Sequence, residues 1–186
     1  MLPQISLETA RLVLRPLALT DAPAIQKLAS DRAVADTMIS IPHPYPEGEA
    51  ENYISNKIAE FRDGHSVAFA IECKQEKLVR GAIEIRDIDR EHSIGELSFW
   101  LGVESWGQGY MSEILPSILC FGFENLHLNR LFAYHMLRNP ASSNVLKKNG
   151  FIQEGVLCQR VRKWEVFEDV VLLAILYRDW KRQRYL

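Results

Sequence analysis

The sequence predicts an α/β fold, with seven strands and their flanking helices forming one domain over residues 1–186. Three observations lead there. Residues 67–101 hold three apolar, alternating segments separated by polar turns, the pattern of an antiparallel meander. The third of these segments runs through a glycine turn into an apolar helix spanning 111–124. Residues 151–161 and 166–177 then read as a closing strand pair, and 170–176 is apolar without interruption, as in a strand buried on both faces.

Taken in order, residues 9–17 alternate charged or small with apolar side chains and predict a first strand, with Pro16 near its end. Thr20 and Asp21 offer caps to a helix carrying Ile25, Leu28 and Ala29. Residues 39–51 form a loop in which Pro42, Pro44 and Pro46 forbid helix and favour extended chain. His43 and Tyr45 sit between those prolines. A helix with Ala50, Tyr53, Ile54, Ile58 and Phe61 on one face follows. Strands at 67–71 and 79–88 pair around a polar turn at 74–77, and a strand at 94–101 extends the meander. After the apolar helix, 130–137 is the next strand. A short helix then has Asn139 as cap, Pro140 in the first position, Lys147 and Lys148 at the negative end of its dipole, and Gly150 as terminator. The tail, 178–186, mixes aromatic and charged residues and ends as a short helix or frayed chain.

Composition narrows the function. Hydrophobic residues make up 47% and charged residues 25%, enough for a core without staples. A net charge of -2 lacks the basic excess of a nucleic-acid binder. Cys73, Cys120 and Cys158 are far apart and odd in number, so they read as reduced, mostly buried thiols of a cytoplasmic protein. Neither a leader pattern nor a run of 18 apolar residues occurs, which speaks against secretion and membrane spanning. The five histidines show no metal-ligand spacing, so no metal is expected.

The stretch from Gly102 to Glu113 is the part of the chain best suited to an anion. Gly107 and Gly109 let a ligand reach the backbone, and the N–H groups at a helix start suit phosphate. The alternative is a turn that merely reverses the chain. The absence of Gly-Lys-Ser/Thr excludes a P-loop, and the absence of G-x-G-x-x-G speaks against a dinucleotide fold.

Trp106-Gly107-Gln108-Gly109-Tyr110-Met111-Ser112-Glu113 resembles the W-G-x-G-Y-A-T-E-A signature of GNAT N-acetyltransferases. The match is closest to the RimJ/RimL-like branch, which acetylates the N-termini of ribosomal proteins. Met111 departs from the small residue usual there and could crowd a pyrophosphate. Asn139, Ser142, Val145, Leu146, Lys148, Gly150 and Phe151 resemble a second family pattern, N-x-x-S-x-x-V-L-x-K-x-G-F. The T-x-R-L-x-L-R-P opening resembles the same branch. The resemblance implies the GNAT fold, a mixed, mainly antiparallel seven-strand sheet flanked by helices.

It also implies acetyl-coenzyme A as co-substrate. The pyrophosphate would lie on Trp106, Gly107, Gln108, Gly109, Tyr110, Met111 and Ser112. Phe99, Trp100 and Leu101 would offer backbone to the pantetheine arm, with Asn139 either binding its amides or capping the helix. Ser142 would hydrogen-bond the departing sulfur. The loop with His43 and Tyr45 would wall the acceptor cleft; otherwise it is a rigid connector whose rings cover the core.

Glu96 is the odd residue of its strand, since alternation puts Ile94, Glu96, Ser98 and Trp100 on one face. A carboxylate there is costly unless paired or useful, so it reads as the base that takes the amine proton, or as a partner for Arg86. Glu84 on the neighbouring strand is its rival. Tyr134 and His135 face opposite sides of a strand near the cleft, and His135 reads as a packed core residue.

The expected reaction is acetyl transfer to a primary amine by direct attack in a ternary complex. The expected acceptor is the α-amine of a protein N-terminus, with a polyamine, amino sugar or aminoglycoside as the alternative. A weakly catalytic acyl-coenzyme A sensor is the rival of another class. The reading needs no nucleic acid or membrane and leaves room for a homodimer.

Overall fold

The computed structural model describes residues 5–183. Eight strands form one sheet in the order β1-β2-β3-β4-β5-β6-β8-β7. They are β1 (Leu7–Glu8), β2 (Leu12–Pro16), β3 (Val67–Cys73), β4 (Val79–Asp89), β5 (Ile94–Leu101), β6 (Arg130–Met136), β7 (Ile152–Lys163) and β8 (Val166–Leu176). The expected count of seven is one short. The added strand, β1, pairs Leu7 with Leu14 and Glu8 with Val13, and two residues are too few to show a period. Residues 9–11, expected inside the first strand, form the turn between β1 and β2.

The helices are α1 (Ala22–Ala29), α2 (Arg32–Thr37), α3 (Glu49–Asp63), α4 (Tyr110–Cys120), α5 (Pro140–Lys148) and α6 (Tyr177–Gln183). Helix α2 is capped by Asp31, whose side chain accepts from the Ala33 N–H, and at six residues it too escapes a periodicity argument. The helix expected to run to 124 leaves α geometry after Cys120 and finishes as a π turn over Phe121–Asn125.

Two cores sandwich the sheet. On one face Ile25, Val34 and Ile54 of α1–α3 pack against Ala70, Ala82 and Trp100. On the other, Ile114, Leu115 and Ile118 of α4 pack against Leu12, Phe69, Ile83, Ile85 and Leu97. Strict alternation along β4 and β5 therefore sends Glu84, Arg86, Glu96 and Ser98 toward the α1–α3 side.

The site depends on where the sheet opens. Strands β5 and β6 are parallel neighbours only at Ile94–Arg130, Gly95–Leu131 and Glu96–Phe132. Beyond Phe132, β6 keeps company with β8 as far as Met136–Val170. The edge of β5 from Leu97 to Leu101 that faces β6 thus has no ladder partner there, and a slot opens between the two strands.

Candidate active site

A cavity of about 370 Å³ fills the slot's outer half. Phe99, Trp100 and Leu101 of β5 form one wall, Gly107 to Ser112 the floor, and Asn139, Ser142 and Val145 of α5 the other wall. The turn is held open by its own side chains. Trp106 Nε1 donates to the Leu101 carbonyl at 2.8 Å, and Gln108 Nε2 donates to the Glu104 carbonyl at 2.6 Å. Gln108, expected at the pyrophosphate, spends its side chain on this grip and is not among the residues that line the cavity. Gly107 and Gly109 take φ of 71° and 75°, a left-handed region open to glycine and strained for other residues. A Cβ on Gly107 would meet nothing within 4 Å, so the turn's surface is bare backbone.

The first backbone bond of α4 runs from Glu113 N–H to the Gly109 carbonyl, leaving the N–H groups of Tyr110, Met111 and Ser112 without intrahelical acceptors. Those donors and the helix dipole fit a pyrophosphate. Met111 does not crowd them, because its side chain is buried in the α4 core. Glu113, whose role the sequence alone did not disclose, ties the floor to the chain's start. It accepts from Thr9 Oγ1 at 2.6 Å, from the Arg11 N–H at 2.7 Å and from Arg11 Nε at 2.6 Å.

A second cavity of about 200 Å³ lies on the α1–α3 side. It shares Met38 and Trp100 with the first, so the two meet at the slot. Tyr45, Tyr53, Lys57, Glu84, Arg86 and Ser98 line it. Tyr45, expected to wall the acceptor cleft, borders this cavity, its phenol pushed up to about 12 by burial and then by Glu49 and Glu51. His43 lies outside this lining and stacks edge-on against Trp164, 6.0 Å away. Trp164, on the β7–β8 turn, and Lys163, the last residue of β7, were not singled out from sequence. Trp164 Nε1 donates to Asp36 at 2.7 Å and Lys163 Nζ to the Ile41 carbonyl at 2.6 Å, which fixes the proline loop from outside.

The two carboxylates buried at the site, Glu84 and Glu96, have cations. Arg86 Nη2 donates to Glu96 Oε1 at 2.5 Å, the pairing that the sequence offered as the alternative to a free base. Lys57 Nζ lies 3.0 Å from Glu84 Oε2, an ion pair without the angle of a hydrogen bond. Burial still pushes the Glu84 pKa up, against the pull of Lys57 and Arg86.

A narrow cleft of about 40 Å³ joins the two sides and is bordered by Arg86, Glu96, Ser98, Phe99, Tyr134, His135 and Ser142. Ser142 is placed by its cap: Asn139 Oδ1 accepts from the Ser142 N–H at 3.3 Å, and Asn139 Nδ2 donates to Ser142 Oγ at 3.1 Å. Asn139 therefore acts as cap and as support for Ser142. Among the described residues no group of three or more His, Cys, Asp or Glu could hold a metal, and no helix is long and apolar enough to cross a membrane.

Comparison with known proteins meets this geometry. The family model described as acetyltransferase (GNAT) domain matches residues 11–152. An uncharacterized N-acetyltransferase of Bacillus subtilis, YoaA, is 31% identical, covering 82% of this chain and 86% of its own. The ribosomal-protein-serine acetyltransferase of Escherichia coli is 27% identical over 69% of this chain and 70% of its own, in keeping with the RimJ/RimL-like resemblance. The crystal structure of spermidine N-acetyltransferase from Vibrio cholerae, in complex with CoA and spermine, superposes with a TM-score of 0.82. It shares 23% identity over 92% of this chain and 99% of that one. Slot, bare turn and family model agree: the chain belongs to the GNAT family and is an acetyl-CoA-dependent N-acetyltransferase.

Proposed function

We propose that the acceptor is the α-amine of a polypeptide N-terminus. The observation that carries this is the pairing of both buried carboxylates, Glu96 with Arg86 and Glu84 with Lys57. A polyamine brings several cations and needs several free carboxylates to meet them. In the acceptor cavity Glu84 already holds Lys57, and Glu49 is the lining carboxylate without an ion pair among the described residues, which suits a ligand with one ammonium and a small side chain. About 200 Å³ between Tyr45, Tyr53 and Trp100 accommodates such an end group. One relative is named a ribosomal-protein-serine acetyltransferase and one similar structure a spermidine N-acetyltransferase, so both a protein and a polyamine acceptor are represented among the similar proteins.

Acetyl-CoA, held by the Gly107–Ser112 amides and the free edge of β5, supplies an activated thioester at the slot. Ser142 can donate to the departing sulfur, because its oxygen already accepts from Asn139 and its proton is free. Glu96, expected to take the amine proton, has its Oε1 engaged by Arg86 and keeps Oε2 for that role.

The test is coenzyme A release across peptides with free and blocked N-termini, lysine-containing peptides, polyamines and amino sugars. A free N-terminus should give the highest kcat/KM and a blocked one should lose it. A polyamine that outperforms every peptide overturns the acceptor assignment. Binding without release on any amine would favour the acyl-coenzyme A sensor.

A further inference from the structure

The segment from Thr37 to Tyr45 borders every space of the site: Thr37 and Met38 the donor cavity, Ile39 the joining cleft, Ile41 and Tyr45 the acceptor cavity. Yet it has no ladder of its own. After the Met38 N–H bonds the Ala35 carbonyl, no backbone–backbone hydrogen bond involves residues 39–45 among the described residues. Such a stretch stands where a few side chains hold it. Asp36, just before it, gathers the most holds. Its carboxylate accepts a two-pronged fork from Arg138, Nη1 to Oδ2 at 2.9 Å and Nη2 to Oδ1 at 3.1 Å, and a bond from Trp164 Nε1 at 2.7 Å. Arg138 Nη2 also donates to the Asp36 carbonyl at 2.9 Å, and its Nε donates to Glu168 of β8 at 2.8 Å. The next residue repeats the link, since Asn139 Nδ2 donates to the Thr37 carbonyl at 3.4 Å. The bond from Trp164 outweighs the cost of burial and, with Arg138, holds the Asp36 carboxyl below the usual range. An isolated ion pair this exposed would contribute little; a fork joined by a third donor is the exception.

We propose that Asp36 is a positioning residue for the acceptor: by tying the β7–β8 turn and the start of α5 to one carboxylate, it sets where the 37–45 wall stands against the slot. Asp36 lines none of the three spaces, so it acts through that wall. Lys163 on the Ile41 carbonyl, and the His43 ring edge-on to Trp164, fasten the middle of the segment to the same end of the β7–β8 hairpin. With the carboxylate gone, Trp164 Nε1 and the Arg138 fork lose their shared acceptor together, and the wall is left to Lys163 and Asn139. The proposal rests on the Tyr45 cavity being the acceptor side and not on which amine enters it.

Two measurements test this. First, with the best amine of the panel, Asp36→Ala should raise the acceptor KM about tenfold, the contribution of one charge-assisted hydrogen bond, with kcat and the Kd for coenzyme A nearly constant. Asp36→Asn, which can still accept from Trp164, should recover part of that KM. Trp164→Phe keeps a ring but lacks the Nε1–H, so it should raise KM by less. Because the two residues share one link, their effects on KM should not multiply in the double variant. A merely structural role would lower the folded fraction, which scales kcat and leaves KM alone. Second, hydrogen exchange needs no turnover: amides of residues 37–45 should exchange faster in Asp36→Ala, and those at the start of α4 at the wild-type rate. An unchanged acceptor KM in a folded Asp36→Ala overturns the proposal, and so does unchanged exchange. If Tyr45→Ala raises the KM and Asp36→Ala does not, the acceptor cavity stands and only the positioning role falls. If neither raises it, the acceptor reading of that cavity falls as well.

Discussion

The two halves of the slot are built by opposite means. The floor that holds the donor is backbone: Gly107 to Ser112 present N–H groups, and the side chains of Trp106 and Gln108 look after the turn itself. The acceptor wall is side chain: Tyr45, Tyr53, Lys57, Glu84, Arg86 and Trp100 arrive from the proline loop, α3, β4 and β5. A backbone site tolerates change at most positions and fails abruptly at the glycines. A side-chain site is graded, since each residue can be altered a little, and so it is the half in which relatives can differ in acceptor. The contrast can be broken or sharpened by substitution.

The largest expected effect is at Gly109. Valine there must adopt a φ of 75°, and its branched side chain would cover the donors of the α4 start. Acetyl-CoA at about 100 times its Kd should stabilise the wild type by about 2.7 kcal/mol, and Gly109→Val should lose that thermal shift. Gly48→Val is the control, with a φ of 80° and nothing within 4 Å of the new Cβ, but far from the floor. It should show backbone strain and keep the shift. A normal shift in Gly109→Val would dissolve the distinction between the halves.

Next come two glutamates with opposite pH behaviour. Burial alone would raise the Glu113 pKa, but the bonds from Thr9, the Arg11 N–H and the Arg11 side chain outweigh it and hold the pKa below the usual range. Its stabilisation is then present above about pH 4.3 and is lost as pH falls through the lower folded value. Glu113→Gln should cost about 1.5–3 kcal/mol at neutral pH, by thermal or urea unfolding, with the deficit shrinking in acid. Glu84 is held above the usual range by burial, so the folded state binds its proton more tightly than the unfolded chain. Its contribution is best below about pH 4.3 and falls as pH rises toward the folded value. The melting temperature of Glu84→Gln relative to wild type should therefore climb with pH. Two difference curves of the same sign would show that floor and wall are not distinguished as described.

A milder effect is expected from Tyr45→Ala. Tyr45 lines only the acceptor cavity, so the acceptor KM should rise while the Kd for coenzyme A stays nearly constant. The reverse pattern would put the proline loop over the donor.

The same contrast explains what could be read from the sequence. The floor is contiguous, and its glycines, its helix start and the Asn139–Gly150 helix are local chemistry, so they stand in the sequence as they stand in the fold. The wall is not contiguous. Glu96 was visible as a charge out of place on an apolar strand, but that it meets Arg86 depends on the β4–β5 register. Lys57 faces Glu84 only because α3 crosses that face of the sheet. Strand β1 and helix α2 are too short to show a period, and α2 ends at Thr37 and leads into Met38, both of which border the slot.

The smallest expected effect is at Ser142, where the two halves meet. A thiol with an ordinary pKa of about 8.5 is a fairly good leaving group, so its departure needs little help. One net hydrogen bond contributes about 0.5–1.5 kcal/mol, which at its upper end is about tenfold in rate. Ser142→Ala should lower kcat by about that factor, leave the protein folded and leave the Kd for coenzyme A unchanged. The Asn139 cap survives, because Asn139 Oδ1 takes the backbone N–H of residue 142 and not its hydroxyl. A loss well beyond about tenfold, or a weakened Kd for coenzyme A, would put Ser142 in the donor site and not beside the departing sulfur.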